Sequence, residues 1–146
     1  MLKIYLDNCC YNRPFDDLSQ KKIFSEVEAI ETIFKMYTNG EIEIYGSVAI
    51  NFEISKIKFG NKRRQVEDLY DSMNLREVPY SLLVRQRAIE LKKYNIKDMD
   101  SLHIALAESI DIDYFITTDR LLINASKRAN LKIKVINPVN FIMEVI

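Results

Sequence analysis

The sequence lacks an excess charge of either sign and lacks a long apolar run. Lys plus Arg and Asp plus Glu both total 21, so no global basic field indicates a nucleic-acid partner, and any polyanion must bind a local patch. No apolar stretch approaches the roughly 18 residues that a membrane span needs. The short apolar stretch at the N-terminus soon meets an acid, unlike the core of a signal peptide. We expect a cytoplasmic protein with no membrane partner.

Cysteine is also scarce. Cys9 and Cys10 are adjacent, which does not suit a disulfide between distant elements, and two cysteines are too few for a zinc site. Free thiols in a reducing compartment fit this pattern. With Arg13 as the only basic neighbour, both cysteines are expected to be small buried residues near the first strand rather than nucleophiles.

What is present suits a single globular domain in which strands and helices alternate. The chain has 146 residues and an apolar fraction of 48%, with no repeat, linker or low-complexity segment, so we expect one domain over residues 1–146. Gly40 follows the clearest helical stripe, which runs from Ile23 to Tyr37. Apolar runs predict strands at 2–6, 41–45, 75–78, 114–118 and 133–136. Amphipathic patterns predict helices at 19–39, 48–59, 62–73, 81–94, 97–107, 120–129 and 138–145, with a turn-like stretch at 8–17. This alternation predicts an α/β fold, a three-layer α/β/α sandwich with a central parallel sheet.

Two of the predicted strands end in an acid. Leu2 to Leu6 leads into Asp7, and the run that begins at Tyr114 ends at Asp119. Open α/β sheets bind ligands outside the carboxyl ends of their strands, at the point where the strand order reverses. If the later strand returns beside the first one, Asp7 and Asp119 lie side by side at that crevice.

Two further acids, Glu53 and Asp100, belong to predicted helices that would open onto the same crevice. Four carboxylates at one place would repel each other and have raised pKa values unless cations neutralised them. Oxygen ligands suit Mg²⁺ or Mn²⁺. The chemistry that follows from such a site is phosphodiester hydrolysis.

At these four positions the sequence resembles the PIN-domain family of metal-dependent ribonucleases, specifically its stand-alone bacterial and archaeal members. Asp7 in Ile4-Tyr5-Leu6-Asp7 resembles the first acid of the family, and Glu53 in Ile50-Asn51-Phe52-Glu53-Ile54 resembles the second. Asp100, which opens Asp100-Ser101-Leu102-His103-Ile104-Ala105, resembles the third, and Asp119 in Thr117-Thr118-Asp119-Arg120 the fourth. The order of the four acids and their places on strands and helices make the combined pattern fairly specific.

The resemblance implies a PIN-like sandwich, Mg²⁺ or Mn²⁺ as cofactor, RNA as substrate and catalysis by Asp7, Glu53, Asp100 and Asp119. It further implies the toxin of a toxin–antitoxin pair, with an antitoxin as protein partner, and a homodimer. Thr117 matches a hydroxyl residue of the family and would orient water at the metal. The sequence departs from the family at Asn8, where many members carry a small hydroxyl residue; an amide can still form hydrogen bonds.

Several residues have a second interpretation. Asp7 could be a turn residue, and Glu53 a solvated helix residue. Asp98 competes with Asp100, and we assign the helix cap to Asp98 and the metal to Asp100. His103, the only histidine, could be a general base, although a structural role is favoured because a metal can activate water unaided.

The densest basic run lies just beyond Glu53 and comprises Lys56, Lys58, Lys62, Arg63 and Arg64. Such a run is usually a solvated face, but an acidic metal pocket needs nearby cations to hold a polyanion. We expect Lys56, Lys62 and Arg63 to bind the nucleic acid. Arg13 either contacts a phosphate or pairs with Asp16 or Asp17. No stacking platform of interleaved aromatic residues is evident.

Rival functions belong to other classes. A receiver-like or non-catalytic PIN-like module would bind or regulate without cleaving, but a receiver would need paired acids after the first strand, where this chain has Asn8 and Cys9. A DNA nuclease would use the same crevice. The helices over 23–37 and 62–73 are both candidates for the dimer interface.

Overall fold

The computed structural model describes residues 1–146. The strands are β1 (Leu2–Leu6), β2 (Ile42–Ser47), β3 (Arg76–Val78), β4 (Tyr114–Ile116) and β5 (Lys134–Ile136). The helices are α1 (Asn8–Asn12), α2 (Lys21–Thr38), α3 (Val48–Ser55), α4 (Gly60–Ser72), α5 (Leu82–Leu91), α6 (Asp98–Ser109), α7 (Arg120–Ser126) and α8 (Pro138–Val145). Short 3-10 turns cover Arg13–Phe15 and Lys92–Tyr94. None of these helices is both long and apolar enough to cross a membrane.

The five strands form one parallel sheet with the order β3-β2-β1-β4-β5, which confirms the predicted α/β/α sandwich with a central parallel sheet. β1 is the middle strand. Ile4, Tyr5 and Leu6 are fully buried, because a central parallel strand is covered by helices on both faces. That burial explains why residues 4–6 are apolar without alternation, whereas Lys3, earlier in β1, is only partly buried.

The strand order reverses beside β1, as predicted from the two acid-ended strands. The chain winds from β1 through β2 to β3, and β4 then returns to the other side of β1, with Leu6 opposite Ile116. The backbone N–H of Asp7 extends this pairing, since it donates to the Ile116 carbonyl at 2.9 Å. Asp7 and the loop that leads to Asp119 therefore meet at the topological switch point.

Helix α2 confirms the clearest helical stripe, with Val27, Ile30 and Ile33 buried against the core. It begins at Lys21 rather than Ser19, because both the amide and the hydroxyl of Ser19 donate to the Asp17 carboxylate in a local turn. Gly40 has φ of +74°, the left-handed conformation that ends the segment without a steric penalty.

Three local predictions are wrong. The stretch predicted as a turn contains helix α1, because the Asp7 carboxylate caps it by accepting from the Asn8 amide at 2.8 Å. Gly60, which lies between the helices predicted at 48–59 and 62–73, is the first residue of α4, and α3 already ends at Ser55. Asp98 does not cap α6: the capping position is Lys97, which makes no side-chain cap, and Asp98 lies within the first turn, 83% exposed and paired with Lys92 at 3.2 Å.

Candidate metal centre

A small polar pocket of about 260 Å³ lies where the chain leaves β1. Only one of its nine lining residues is hydrophobic. All four of the predicted acids line it, although they come from four separate places in the sequence. The lining residues are Asp7, Asn8, Cys9, Asn12, Arg13, Asp16, Glu53, Asp100 and Asp119.

Asp7 is held rigidly. It is 7% exposed, and its two carboxylate oxygens accept from the Asn8 amide at 2.8 Å and from the Thr117 hydroxyl at 2.7 Å. Burial raises the pKa of Asp7 above its ordinary value and the charge of Glu53 adds to the rise, while His103 and the Thr117 hydroxyl oppose it. The folded protein thus keeps a carboxylate in a place that disfavours its charge.

Glu53 reaches the pocket from the second half of α3, and it approaches Asp7 there. The ligand atoms of Asp7, Glu53 and His103 all lie within 4.8 Å of one another. The oxygen of Glu53 hydrogen-bonds to Nε2 of His103, whose ring is fully buried in α6 and does not line the pocket. The His103 imidazole therefore contacts the Glu53 carboxylate on the side away from the pocket.

Asp100 and Asp119 complete the pocket wall without joining that close group. Burial raises the pKa of Asp100 to about 6, and the charges of Asp7 and Asp119 push in the same direction. Asp119 caps α7, where one of its oxygens accepts from the amides of Leu121 at 3.0 Å and Leu122 at 3.3 Å. Because the charges of Asp7 and Asp119 raise the pKa of Asp100, both of these carboxylates lie close enough to Asp100 to repel it.

Thr117 links the two strand-end acids. Its hydroxyl donates to Asp7 and accepts from the Asp119 amide at 3.1 Å, and the residue is fully buried. Because its single proton is used on Asp7, Thr117 acts here by orienting that carboxylate. The expectation that Thr117 orients water stays a prediction that this geometry does not favour.

The residues present fit a hard divalent cation. Crowded carboxylates whose pKa values are raised gain most from a cation, and oxygen is the donor that Mg²⁺ and Mn²⁺ prefer. Asn8, which also lines the pocket, has a buried side-chain oxygen with no hydrogen-bond partner. Such an orphaned oxygen beside the four predicted acids is a further donor for a metal shell.

Two of the four side chains predicted to bind nucleic acid form ion pairs beside the pocket. Arg13 lines the pocket, but it pairs with Asp16 and with the buried Glu26, both at 2.9 Å, so pairing is the alternative that the structure adopts. Lys62 pairs with the same Asp16 at 2.6 Å. Both side chains are paired with carboxylates beside the pocket, and their binding of nucleic acid stays a prediction.

The other two predicted cations are more available. Lys56 lies over the exposed Phe52 ring at 5.1 Å from its centroid. Arg63 donates to the Ile57 carbonyl at 3.1 Å and approaches Glu67 at 3.9 Å.

Sequence reasoning missed the contact between His103 and Glu53. The available signal was the spacing of His103 three residues after Asp100 on α6, which places both on a similar helix face. It also missed Asn12 and Asp16 as pocket residues, because it treated their segment as a turn. Cys9 lies in the pocket wall, with its sulfur 3.5 Å from the Thr117 hydroxyl and 3.6 Å from Asp7. Cys10 is buried, and burial raises the pKa of its thiol, in agreement with an inert residue.

The chain matches a known protein family and is similar in fold to a solved structure. The model of the PIN domain matches residues 5–128, and no curated protein matches the chain. Among solved structures, the fold is similar to a chain in the crystal structure of VapBC2 from Rickettsia felis bound to a DNA fragment from their promoter. The TM-score is 0.62 at 15% sequence identity, over 93% of this chain and 98% of that chain, a likeness of fold. Since the matched segment includes most of the chain and contains all four predicted acids, this protein belongs to the PIN domain family.

Proposed function

We propose that this protein is a divalent-metal-dependent endoribonuclease that hydrolyses phosphodiester bonds of RNA. The observation that carries the proposal is the convergence of Asp7, Glu53, Asp100 and Asp119 on one polar pocket at the switch point of the sheet. Membership of the PIN domain family supports it, since these domains are generally nucleases.

The four acids would hold Mg²⁺ or Mn²⁺, either directly or through water. When bound, such a cation lowers the pKa of a water and neutralises charge that develops on the phosphate. Asp7 and Asp119 are preorganised for this role, because Thr117 and backbone amides fix their oxygens before any ligand arrives. Neither residue has to reorganise on binding.

RNA has to be held beside a pocket that is itself acidic. We assign this role to cations that follow Glu53 on the surface, above all Lys56 and Arg63, because Arg13 and Lys62 are paired with Asp16. Their attraction is local, since the chain as a whole has no net charge.

We further propose a toxin-like role in the cytoplasm, with an antitoxin as protein partner and a homodimeric state. The likeness to a VapBC2 chain, whose structure includes a DNA fragment from their promoter, supports a protein partner of this kind. The free thiols of Cys9 and Cys10 support a reducing compartment. For the dimer, α5 offers more exposed apolar side chains than either of the helices first considered: Leu82, Leu83 and Ile89 are each more than half exposed.

The proposal is tested by replacing Asp7 with Asn. The Asn oxygen can still accept from the Asn8 amide and cap α1, while its NH2 group can donate to the Thr117 hydroxyl, so folding should be retained. Mn²⁺ binding should weaken and cleavage of RNA oligonucleotides should fall by at least about 100-fold. Asp98→Asn is the matched control, because Asp98 is exposed outside the pocket, and its cleavage rate should equal that of the wild type.

Cleavage is measured on RNA and DNA oligonucleotides side by side, and Mn²⁺ binding is measured on the protein alone. Wild-type cleavage by Asp7→Asn at equal metal would contradict the assignment. Cleavage of DNA alone would favour a DNA nuclease. A wild-type protein that binds Mn²⁺ but cleaves neither would favour a non-catalytic binding module.

A further inference from the structure

A chain of buried polar side chains runs from the sheet to the back of the metal pocket. The Ser47 hydroxyl lies 2.6 Å from the Tyr5 hydroxyl, which lies 2.6 Å from Nδ1 of His103. Nε2 of His103 then contacts the carboxylate of Glu53. Ser47, Tyr5 and His103 are all fully buried, and Glu53 is the one member that reaches the pocket. Glu53 is therefore the only member of this hydrogen-bonded chain that contacts solvent.

The direction of these hydrogen bonds follows from the donors and acceptors available. The Ser47 oxygen accepts from the Ile50 amide at 3.3 Å, and the Tyr5 oxygen is the one acceptor within hydrogen-bond distance of the Ser47 hydroxyl proton. Tyr5 then donates to Nδ1 of His103, which leaves Nε2 to donate to Glu53. The opposite direction would leave the buried Ser47 proton without an acceptor, which proteins avoid.

Rigid elements hold each member of this chain. Tyr5 lies on β1 at the centre of the sheet, and its ring stacks on Phe115 with the centroids 5.3 Å apart and the planes 10° from parallel. Ser47 ends β2 and caps α3, the same helix that carries Glu53. The position of the His103 ring is thus set by the sheet, and the position of the Glu53 carboxylate is set by His103.

A nitrogen of His103 lies within 4.8 Å of the ligand oxygens of Asp7 and Glu53, but the ring has no free nitrogen to offer a metal. Both of its ring nitrogens have hydrogen-bond partners within the protein, and the ring is fully buried outside the pocket lining. Fixing a carboxylate ligand from behind is a role that outer hydrogen-bond partners play at metal sites.

We propose that His103 is a positioning residue, oriented by Tyr5 and Ser47, that donates from Nε2 to Glu53 and fixes this carboxylate toward the metal. The proposal rests on the metal site assigned above. It extends the site to a polar chain that reaches the middle strand of the sheet.

The first test needs neither metal nor RNA. Because the chain has one histidine, a ¹H–¹⁵N correlation spectrum of the imidazole needs no assignment. In the metal-free protein at pH 8, the spectrum should show a proton on Nε2 and a hydrogen-bonded, unprotonated Nδ1. A proton on Nδ1 would overturn the assigned direction and with it the proposal.

The second test compares two tyrosines whose hydroxyls both contact Ser47. Tyr5→Phe keeps the stacked ring but removes the donor to His103, and should weaken Mn²⁺ binding about three- to tenfold by isothermal titration calorimetry. Tyr70→Phe removes a hydroxyl that accepts from the Ser47 amide at 3.1 Å and is not part of the chain, so it should leave Mn²⁺ affinity unchanged. Equal losses in both variants would show general destabilisation and would overturn the proposal.

The third test exchanges His103 itself. The amide nitrogen of Gln can take the place of Nε2, whereas that of Asn falls nearer to Nδ1. His103→Gln should retain Mn²⁺ affinity within about threefold, and His103→Asn should lose about 10- to 100-fold. Equal affinity of the two variants would contradict the positioning role.

Failure of the metal assignment has a different signature. A wild-type protein that shows the Nε2 tautomer but binds no Mn²⁺ would overturn both the metal site and the role of His103 at a metal. A protein that binds Mn²⁺ with the Nδ1 tautomer would retain the proposed function and overturn the positioning role alone.

Discussion

At the scale of one residue, Asp100 shows that the pocket disfavours the ionised form of its own carboxyl groups. Its pKa is raised from 3.8 to about 6 by burial and by the neighbouring acids. A carboxyl group whose pKa is higher in the folded than in the unfolded state favours folding when protonated and opposes it when ionised. The stability penalty is therefore absent below the unfolded pKa of 3.8, grows between that value and the folded pKa of about 6, and is fully present above it.

We predict that Asp100→Asn stabilises the metal-free protein. The gain in unfolding free energy should be about 1 kcal/mol at pH 8, because solvent screens this partly exposed group and reduces the effect of the raised pKa. At pH 4 the gain should be close to zero. Urea unfolding in EDTA at both pH values measures it, with the exposed Asp98→Asn as the control that should show no gain.

The order should reverse when metal is added. A cation that binds only the folded state stabilises it according to its concentration and affinity, and the wild type binds it more tightly than the variant. A less stable Asp100→Asn protein at pH 8 in EDTA would contradict the raised pKa and the crowding of charge at this site.

At the scale of elements, the end of β2 is fixed by contact with α4. Gly46 is the position where the Tyr70 hydroxyl meets the strand, and a Cβ added there would lie 2.0 Å from that oxygen. The same hydroxyl accepts from the Ser47 amide, so the glycine allows α4 to dock on the strand that leads into α3 and Glu53.

Gly46→Ala should therefore destabilise the protein by about 2 to 3 kcal/mol through overpacking. Gly40→Ala is the matched control: it meets no atom within 4 Å and only strains a positive φ, which should cost about 1 kcal/mol. In a double-mutant cycle followed by urea unfolding, Tyr70→Phe should recover part of the loss at Gly46. Simple additivity of the two substitutions would show that the clash is not with the hydroxyl.

Elements with strong local signals could be predicted from the sequence, whereas elements set by tertiary contacts could not. Residues 4–6 of β1 and the strand β4 are apolar runs that are each followed by a pocket acid, Asp7 directly and Asp119 after two threonines. Burial at the centre of the sheet is what these runs encode. Helix α1 has only five residues, too few for a helical pattern to show in the sequence, and it depends on the Asp7 carboxylate at its N-terminus. Its prediction as a turn failed for that reason.

The features of the site also fall into those that the sequence could predict and those that depend on tertiary contacts. The placement of Asp7 and Asp119 at neighbouring strand ends follows from strand order, which the alternation of elements made predictable. The contact of Glu53 with His103 depends on how α3 and α6 are rotated about their axes when they pack. The pairing of Arg13 with Asp16 joins side chains three residues apart and was one of the two alternatives that the sequence left open. The pairing of Lys62 with Asp16 joins side chains 46 residues apart, and no local pattern reports it.

At the scale of the whole molecule, equal numbers of acids and bases leave no long-range field to attract RNA. Association must rely on a few cations near the pocket, and the salt dependence of binding should be correspondingly shallow. Lys56 is the best placed of these, because it follows Glu53 at the end of α3, is exposed, and takes part in a contact with Phe52 rather than in an ion pair.

We predict that Lys56→Ala weakens the binding of single-stranded RNA about three- to tenfold and lowers the slope of log affinity against log salt by about 0.7, the loss of one phosphate contact. Lys35→Ala is the matched control, because Lys35 is exposed in the last turn of α2, where the chain enters the amino end of β2 at the opposite edge of the sheet. Fluorescence anisotropy in an Asp7→Asn background measures binding without cleavage. Equal effects of the two lysines would mean that RNA is not held beside the pocket, and an unchanged salt slope for Lys56→Ala would remove this side chain from the phosphate contacts.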